Sequence, residues 1–269
     1  MRCLGSGGRP APGIIWGRMS IFGDSFMMLQ KHALTNDSII VSYSGGKDSI
    51  CVLDMCVKAF KKVTCVYLYF VEEFQYNAEL LDLPRQRYGI KVVKYPHWAF
   101  INSMRGMIYC DAYPEFEQYP AMDPGATYQA LMHALDIPLL AMGAKKADGI
   151  WRKRWYSQIP KMKGYRNIIF PVIEWHKWDV LAYLKINKLP VPPDETAAAR
   201  ANGADLSTNF ILWLYDNHPD DYQRLLNYFP YAEAVIYRRK YYGTDFGEHF
   251  RKKSKRPETG ELQPSENQH

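Results

Sequence analysis

The stretch IIVSYSGGKDS, residues 39–49, decides how this chain folds. Its first half is a short run rich in β-branched residues, which favours a buried strand. Gly45 and Gly46 break the run, and apolar residues then recur at helical spacing from Ile50 to Phe60. The stretch therefore predicts a strand, a glycine-rich turn and a helix in direct succession.

The same alternation of strand and helix patterns continues as far as Pro193. Apolar runs of strand length follow at residues 63–70, 90–93, 138–142 and 167–172. Helical patterns occupy residues 78–88, with an interruption expected at Pro84, and residues 128–135 and 178–186. Strands that alternate with helices pair in parallel through right-handed crossovers. We therefore expect an α/β fold with a doubly wound, mainly parallel five-stranded sheet.

Beyond Pro193 the strand pattern ends. Residues 205–217, 220–228 and 231–241 are patterned as three short helices, which predicts an α-helical C-terminal extension. Both ends of the chain lack apolar periodicity, and their Gly, Pro and charged residues are typical of flexible segments. The predicted organisation is a flexible leader at 1–18, the α/β domain at 19–193, the extension at 194–250 and a basic disordered tail at 251–269.

Composition excludes several classes of protein. The apolar content of 47% is too high for a disordered chain, and no apolar run is long enough to cross a membrane. Five cysteines without a C-x-x-C pair argue against a disulfide framework or a cysteine-rich zinc module. Reduced thiols and no membrane contact predict a cytoplasmic protein.

The formal net charge of +6 is concentrated at one end. Residues 238–256 contain eight Lys/Arg and two acids, so this segment alone carries the whole excess. Residues 151–155 (WRKRW) also interleave cations with aromatic rings, in what we interpret as a loop. Nucleic acid is the partner expected for both segments, although each is also compatible with a solvated surface.

The residues after the first strand have the chemistry of a phosphate cradle. Two glycines let backbone N–H groups approach a ligand, the start of the helix favours an anion, and a lysine and two serines add donors. The pattern is not a Walker A loop, because no glycine stands at the first position and Asp48 follows Lys47. The candidate phosphate-binding residues are Ser44, Gly45, Gly46, Lys47, Asp48 and Ser49.

SGGKDS resembles the S-G-G-x-D-S signature of the PP-loop ATP pyrophosphatases, also called adenine nucleotide alpha hydrolases. The resemblance implies binding of ATP with Mg²⁺, cleavage between the α and β phosphates, and transfer of AMP to a substrate oxygen. It assigns Lys47 and Asp48 to the pyrophosphate end, with Asp48 as the metal ligand.

Two later stretches are similar to the phosphoadenosine phosphosulfate (PAPS) reductase subfamily. Residues 143–152 (GAKKADGIWR) match its G-x-R-x-x-[DE]-S-x-x-R pattern at Gly143, Asp148 and Arg152, with Lys145 in place of the arginine and Gly149 in place of the serine. Residues 170–190 match its P-x-x-x-W, D-V-x-x-Y and L-P segments in order. The resemblance covers residues 39–193. It implies that Gly143 and Asp148 bind the nucleotide, and that Lys145, Lys146 and Arg152 neutralise charge near the transferred group.

One departure from the subfamily decides the chemistry. Its reductases carry a nucleophilic cysteine in a C-terminal E-C-G-[IL]-H motif, whereas the last cysteine here is Cys110. Reduction of PAPS by that route is therefore not expected. Cys51, Cys56 and Cys65 have the pattern of core residues, Cys110 is the candidate sulfur carrier, and His97 lies where ligands bind at the edge of the sheet.

The sequence thus predicts an ATP-dependent adenylyltransferase of the PAPS reductase-like type, acting in sulfur-related or nucleic-acid modification. Its expected partners are ATP, nucleic acid and a sulfur-donor protein. Two alternatives stay open: a sulfonucleotide or sulfate-activating enzyme that acts on a small molecule, and a nucleotide-sensing regulator that retains the loop without turnover.

Overall fold

The computed structural model describes residues 12–118, 120–159, 162–192 and 206–243. Its sheet has five parallel strands in the order β3-β2-β1-β4-β5, which confirms the predicted doubly wound α/β fold. The strands are β1 (Ser38–Ser42), β2 (Lys62–Tyr69), β3 (Val92–Pro96), β4 (Leu140–Met142) and β5 (Ile168–Ile169).

The strand order reverses between β1 and β4. After β1 the chain adds β2 and β3 on one side, then returns to place β4 on the other side of β1. In open parallel sheets a crevice forms at such a switch point, outside the carboxyl ends of the strands. Ile39, Ile40 and Val41 of β1 are fully buried. Their burial explains why residues 39–49 begin with an uninterrupted apolar run.

Helices cover both faces of the sheet and form the C-terminal extension. They are α1 (Pro12–Ala33), α2 (Lys47–Ala59), α3 (Ala78–Tyr88), α4 (Trp98–Arg105), α5 (Pro114–Glu117), α6 (Pro124–Ala134), α7 (Ile150–Gln158), α8 (Lys177–Ile186), α9 (Thr208–Asn217), α10 (Pro219–Tyr228) and α11 (Glu233–Tyr242). No helix in these described segments is both long and apolar enough to cross a bilayer.

Residues 12–18 of the predicted flexible leader lie in helix α1, and the boundary between leader and domain stays a prediction. Buried contacts attach its later turns to the domain: the Trp175 indole N–H donates to Ser25 Oγ at 2.9 Å, and Ser25 Oγ donates to the Pro171 carbonyl at 2.7 Å. Phe22 packs on the Trp175 ring with centroids 4.9 Å apart. Residues 1–11 and the predicted tail at 251–269 lie outside the described residues.

Helix α3 runs through Pro84 without the predicted interruption. A proline at this position cannot donate to the carbonyl of Leu80, four residues earlier. The Tyr43 hydroxyl supplies the missing bond, donating to the Leu80 carbonyl at 2.8 Å. The sequence could not reveal this donor, because Tyr43 lies directly after β1 and is distant in the chain from α3.

The helical extension packs on the loop between β2 and α3. Phe70 of the domain stacks on Phe229 with centroids 5.5 Å apart, inside a second core that α9 and α10 complete. Asp221 of α10 is buried and accepts hydrogen bonds from the backbone N–H groups of Gln75 and Tyr76 at 2.7–3.0 Å. The extension is therefore fixed to the carboxyl-terminal edge of the sheet, where ligands bind in this fold class.

Candidate active site

The loop after β1 has the backbone geometry of a ligand cradle. Gly45 has a φ of +75°, a conformation that favours glycine, and a β-carbon there would lie 3.0 Å from the Leu80 Cβ. Gly46 has an ordinary φ of −77°, and a β-carbon there would meet only the Ser44 Oγ, at 3.3 Å. Gly45 thus shapes the turn, and Gly46 leaves an open side along which a ligand can approach the backbone.

Serine hydroxyls hold this loop in shape. Ser49 is buried, and its Oγ donates to the Gly46 carbonyl at 2.8 Å and accepts the Ser44 N–H at 3.3 Å. Ser44 Oγ in turn accepts the Gly46 N–H at 3.3 Å. The loop is therefore preorganised by its own hydrogen bonds.

Helix α2 begins at Lys47, and its N-cap residue, Gly46, has no side chain that could cap the N-terminus. The N–H groups of its first turn have no partner within the helix, and the helix dipole places partial positive charge at the same point. Lys47 adds a partly exposed ammonium group. This end of α2 can therefore bind a phosphate group.

A buried cation lies beside the loop. Lys145, in the segment after β4, is only 2% exposed, and its Nζ lies 2.6 Å from Asp48 and 3.1 Å from Asp148. Lys47 Nζ lies 3.7 Å from the same Asp48 carboxylate. Two lysines and two aspartates predicted from separate motifs are thus brought into one cluster at the switch point.

Gly143 lets these two segments meet. A β-carbon on Gly143 would lie 2.9 Å from the backbone of Asp48 and Ser49, closer than real side-chain atoms approach. The segment after β4 therefore packs directly on the first turn of α2. The predicted nucleotide-binding role of Gly143 stays a prediction, and the structure gives it a packing role.

The residues present fit a Mg²⁺ ion that is shared with a nucleotide. Asp48 Oδ1 is buried and has no hydrogen-bond partner among the described residues, so one carboxylate oxygen remains for a cation. No group of three or more His, Cys, Asp or Glu side chains is gathered for a metal in the described segments. Mg²⁺ at phosphate sites characteristically uses one or two carboxylates together with substrate oxygens and water, which matches this donor set.

Two other predicted cations lie differently. Lys146 pairs with Glu174, and both side chains are substantially exposed, so the structure does not bring Lys146 into the cluster around Asp48. Arg152 lies on α7, and its side chain falls outside the described residues, so its role stays a prediction. The segment 151–155, interpreted from the sequence as a loop, is helical, and Lys153 and Arg154 on it are exposed.

The described cysteines are buried thiols. Cys51, Cys56 and Cys65 are fully buried in the core, as predicted. Cys110 is buried in the second core, and burial together with the nearby Asp111 raises the pKa of its thiol. A sulfur carrier needs an accessible thiolate, so the structure does not favour Cys110 in that role.

His97 also has a structural task. It is the N-cap of α4, where its Nδ1 accepts the Ala99 N–H at 3.0 Å, and its ring lies against Trp98 with centroids 3.8 Å apart. Sequence reasoning missed Leu80, which packs against Gly45, and Tyr43, which holds Leu80 in position. Neither residue carries a motif, so no signal in the sequence linked α3 to the loop.

Comparison with known proteins extends these observations. The sequence model of the phosphoadenosine phosphosulfate reductase domain matches residues 38–193, a span that contains the SGGKDS loop and both of the later motif segments. The curated proteins contain no match to the chain.

Several solved structures are similar to this chain. U34-tRNA thiolase NcsA from Methanococcus maripaludis is 14% identical with a TM-score of 0.43, over 81% of this chain and 80% of that one. NH3-dependent NAD synthetase from Campylobacter jejuni is 14% identical with a TM-score of 0.46, over 91% and 99%. PAPS reductase from Candida auris is 16% identical with a TM-score of 0.42, over 70% and 91%.

The family match spans more than half of the 269 residues and coincides with the parallel sheet and its glycine-rich loop. The chain therefore belongs to the phosphoadenosine phosphosulfate reductase domain family.

Proposed function

We propose that this chain binds ATP, cleaves it between the α and β phosphates and transfers the adenylyl group to an acceptor. The observation that carries the proposal is the Lys145 ammonium group, buried between Asp48 and Asp148 where the loops after β1 and β4 meet. Burying the Lys145 ammonium group is costly, and the partly exposed carboxylates of Asp48 and Asp148 compensate its charge. A few polar groups that converge in a crevice are the usual form of a ligand-binding site.

Each part of the loop has a task in this proposal. The first-turn N–H groups of α2, the Ser44 hydroxyl and Lys47 bind the β and γ phosphates, because they present donors and positive charge at one point. Gly46 allows the backbone to approach the nucleotide closely. Lys145 lies beside this end of the helix, and there it stabilises charge on the leaving pyrophosphate.

The reaction consists of one displacement at phosphorus. An oxygen of the acceptor attacks the α-phosphorus, the bond from that phosphorus to the bridging oxygen breaks, and pyrophosphate leaves with the bond's electron pair. The residues of this site orient the phosphates and stabilise developing charge, so no general base is required among them. Asp48 would hold a Mg²⁺ ion in this site, and the ion would supply charge neutralisation for the leaving pyrophosphate.

A thiol-based reduction receives no support from the described residues. The nucleophile would have to reach the nucleotide as a thiolate, and Cys51, Cys56, Cys65 and Cys110 are all buried. Burial also raises the pKa of Cys51, and the neighbouring Asp48 and Asp54 raise it further. We therefore propose that any sulfur transferred comes from a separate donor protein.

Nucleic acid is the acceptor class that we favour. The chain's excess positive charge lies at residues 238–256, and residues 238–243 of this segment are described. Activation of sulfate or of another small acceptor is the alternative within the enzyme class. A nucleotide-binding regulator without turnover is the alternative outside it, since the same loop could hold ATP without reacting.

A pyrophosphate-release assay separates these functions. Purified protein is supplied with Mg²⁺ and ATP, alone and together with RNA, DNA or sulfate. Release that requires RNA or DNA supports the favoured acceptor class, and release with sulfate supports the small-molecule alternative. ATP binding without release under every condition would support the regulator and contradict the enzymatic proposal.

A further inference from the structure

Helix α11 exposes aromatic rings on the side turned away from the core. Val235 is its buried residue, whereas Tyr237 and Tyr241 are 49% and 70% exposed. These two tyrosines are four residues apart and therefore lie on the same side of the helix. Neighbouring exposed apolar rings of this kind can mark an interaction surface.

The two tyrosine rings form a platform. Their centroids are 6.4 Å apart, and their planes differ by only 16°. The Lys240 ammonium lies 5.8 Å from the centroid of the Tyr241 ring. Flat rings that face the same way, with a cation beside them, can stack planar bases while the cation contacts a phosphate.

The charges around this platform are of two kinds. Arg239 forms a bidentate ion pair with Asp216 of α9, and its guanidinium also lies 5.2 Å from the centroid of the Tyr215 ring. Arg239 therefore holds α11 in position. Arg238 and Lys240 are exposed, and neither has an ion pair with a carboxylate of the described segments. Their charges are available to a ligand.

We propose that the tyrosine face of α11, formed by Tyr237, Arg238, Lys240 and Tyr241, binds a single strand of nucleic acid. Bases stack on the two rings, and phosphates lie against the two cations. A duplex hides the faces of its bases, so it gains only the contribution of the cations. Binding does not depend on ATP cleavage. Only the further step, in which the bound strand is the acceptor, rests on the proposed function.

Fluorescence anisotropy on the full chain tests the proposal. The probes are labelled single-stranded RNA, single-stranded DNA and duplex DNA, all of one length. Replacing both rings, as Tyr237→Leu with Tyr241→Leu, should weaken single-strand binding by roughly tenfold or more, because the stacking interaction of a base with each ring is lost. The matched pair Tyr237→Phe with Tyr241→Phe keeps the rings and should bind within about twofold of the parent.

The cations are tested through salt. Arg238→Gln with Lys240→Gln should lower the slope of log affinity against log salt by about 1.4, which corresponds to two phosphate contacts. Lys62→Gln with Lys91→Gln removes the same charge from exposed positions on the domain and should leave the slope unchanged. ATP affinity, measured separately, should be the same in all of these variants. This second measurement distinguishes a loss of nucleic-acid binding from a loss of ATP binding.

Three results would overturn the proposal. The leucine variants could bind a single strand as tightly as the parent, the phenylalanine variants could lose as much affinity as the leucine variants, or duplex DNA could bind as tightly as a single strand. Tyrosine and arginine are also frequent in protein–protein interfaces, and either of the first two results would turn attention to a protein partner.

Discussion

Lys145 and Lys146 are neighbours in the sequence with opposite surroundings. Lys145 is buried between Asp48 and Asp148, whereas Lys146 is partly exposed and pairs with Glu174. Lys145→Met should lower pyrophosphate release by about two orders of magnitude, because an electrostatic stabiliser is lost from the site. Lys146→Met, the matched control, should release pyrophosphate at close to the parental rate.

The comparison of the two lysines needs folded protein. Lys145→Met leaves two carboxylates close together, so thermal unfolding of each variant should accompany the rate measurement, and Lys145→Arg tests the site with the charge retained. Equal losses in Lys145→Met and Lys146→Met, both folded, would show that the buried cluster has no special role.

Substitutions of Gly45 and Gly46 are expected to have different effects, the first on the stability of the protein and the second on its affinity for ATP. Gly45→Ala forces a side chain into φ +75° and against Leu80, and should lower the free energy of unfolding by about 1–2 kcal/mol. Gly46 has a φ that any residue adopts, so Gly46→Ala should keep its stability yet weaken ATP binding by filling the open side of the loop. Calorimetry with ATP and urea unfolding measure the two effects. Unchanged ATP affinity in Gly46→Ala would contradict a close approach of the nucleotide at this point.

The Asp221 carboxylate is one of the contacts that attach helix α10 to the domain. Asp221 is buried, accepts two backbone N–H groups of the β2–α3 loop and pairs with Arg224. Asp221→Ala should lower the free energy of unfolding by about 2–4 kcal/mol, because it leaves buried donors without an acceptor. Asp216→Ala breaks an exposed pair and should cost no more than about 1 kcal/mol. Similar losses for the two variants in urea unfolding would contradict this role of Asp221.

The elements predicted from the sequence are those in which a local pattern and tertiary packing agree. Strand β1 is apolar because it is central and buried on both faces, so its apolar run predicts a strand from the sequence alone. The mixture of cations and tryptophans in residues 151–155 lacks an apolar stripe and so favours a loop, whereas the segment lies within helix α7. The course of α3 through Pro84 depends on Tyr43, a partner from another element, which no local pattern contains.

The candidate site was predictable in its residues and unpredictable in its geometry. The motif SGGKDS identifies Asp48 as a candidate, and the similarity of residues 143–152 to the PAPS reductases separately identifies Lys145 and Asp148. Their contact depends on the strand order, which sets β4 beside β1, and on the small size of Gly143. The burial of Lys145 and its separation from Lys146 follow only from that packing.

The protein as a whole should lose stability in alkaline solution. Burial raises the pKa of Tyr222 and of Cys65, each to about 12, so the folded state favours their neutral forms. For Tyr222 this contribution is complete below pH 10, the ordinary tyrosine pKa, and is lost as the pH rises towards 12. Urea unfolding at pH 8 and pH 11 should show that Tyr222→Phe loses less stability than the parent. An equal loss in both would mean that Tyr222 does not titrate in this way.

We propose that this member of the family cleaves ATP between the α and β phosphates at the loop formed by Ser44–Ser49. The most direct test is to identify the products formed from ATP labelled separately at the α and γ phosphates, with Mg²⁺ and the active acceptor. The label at the α phosphate should appear in AMP or an adenylylated acceptor, and the label at the γ phosphate in pyrophosphate. Both products should form about two orders of magnitude more slowly in Lys145→Met. ADP and orthophosphate as the main products would contradict the account.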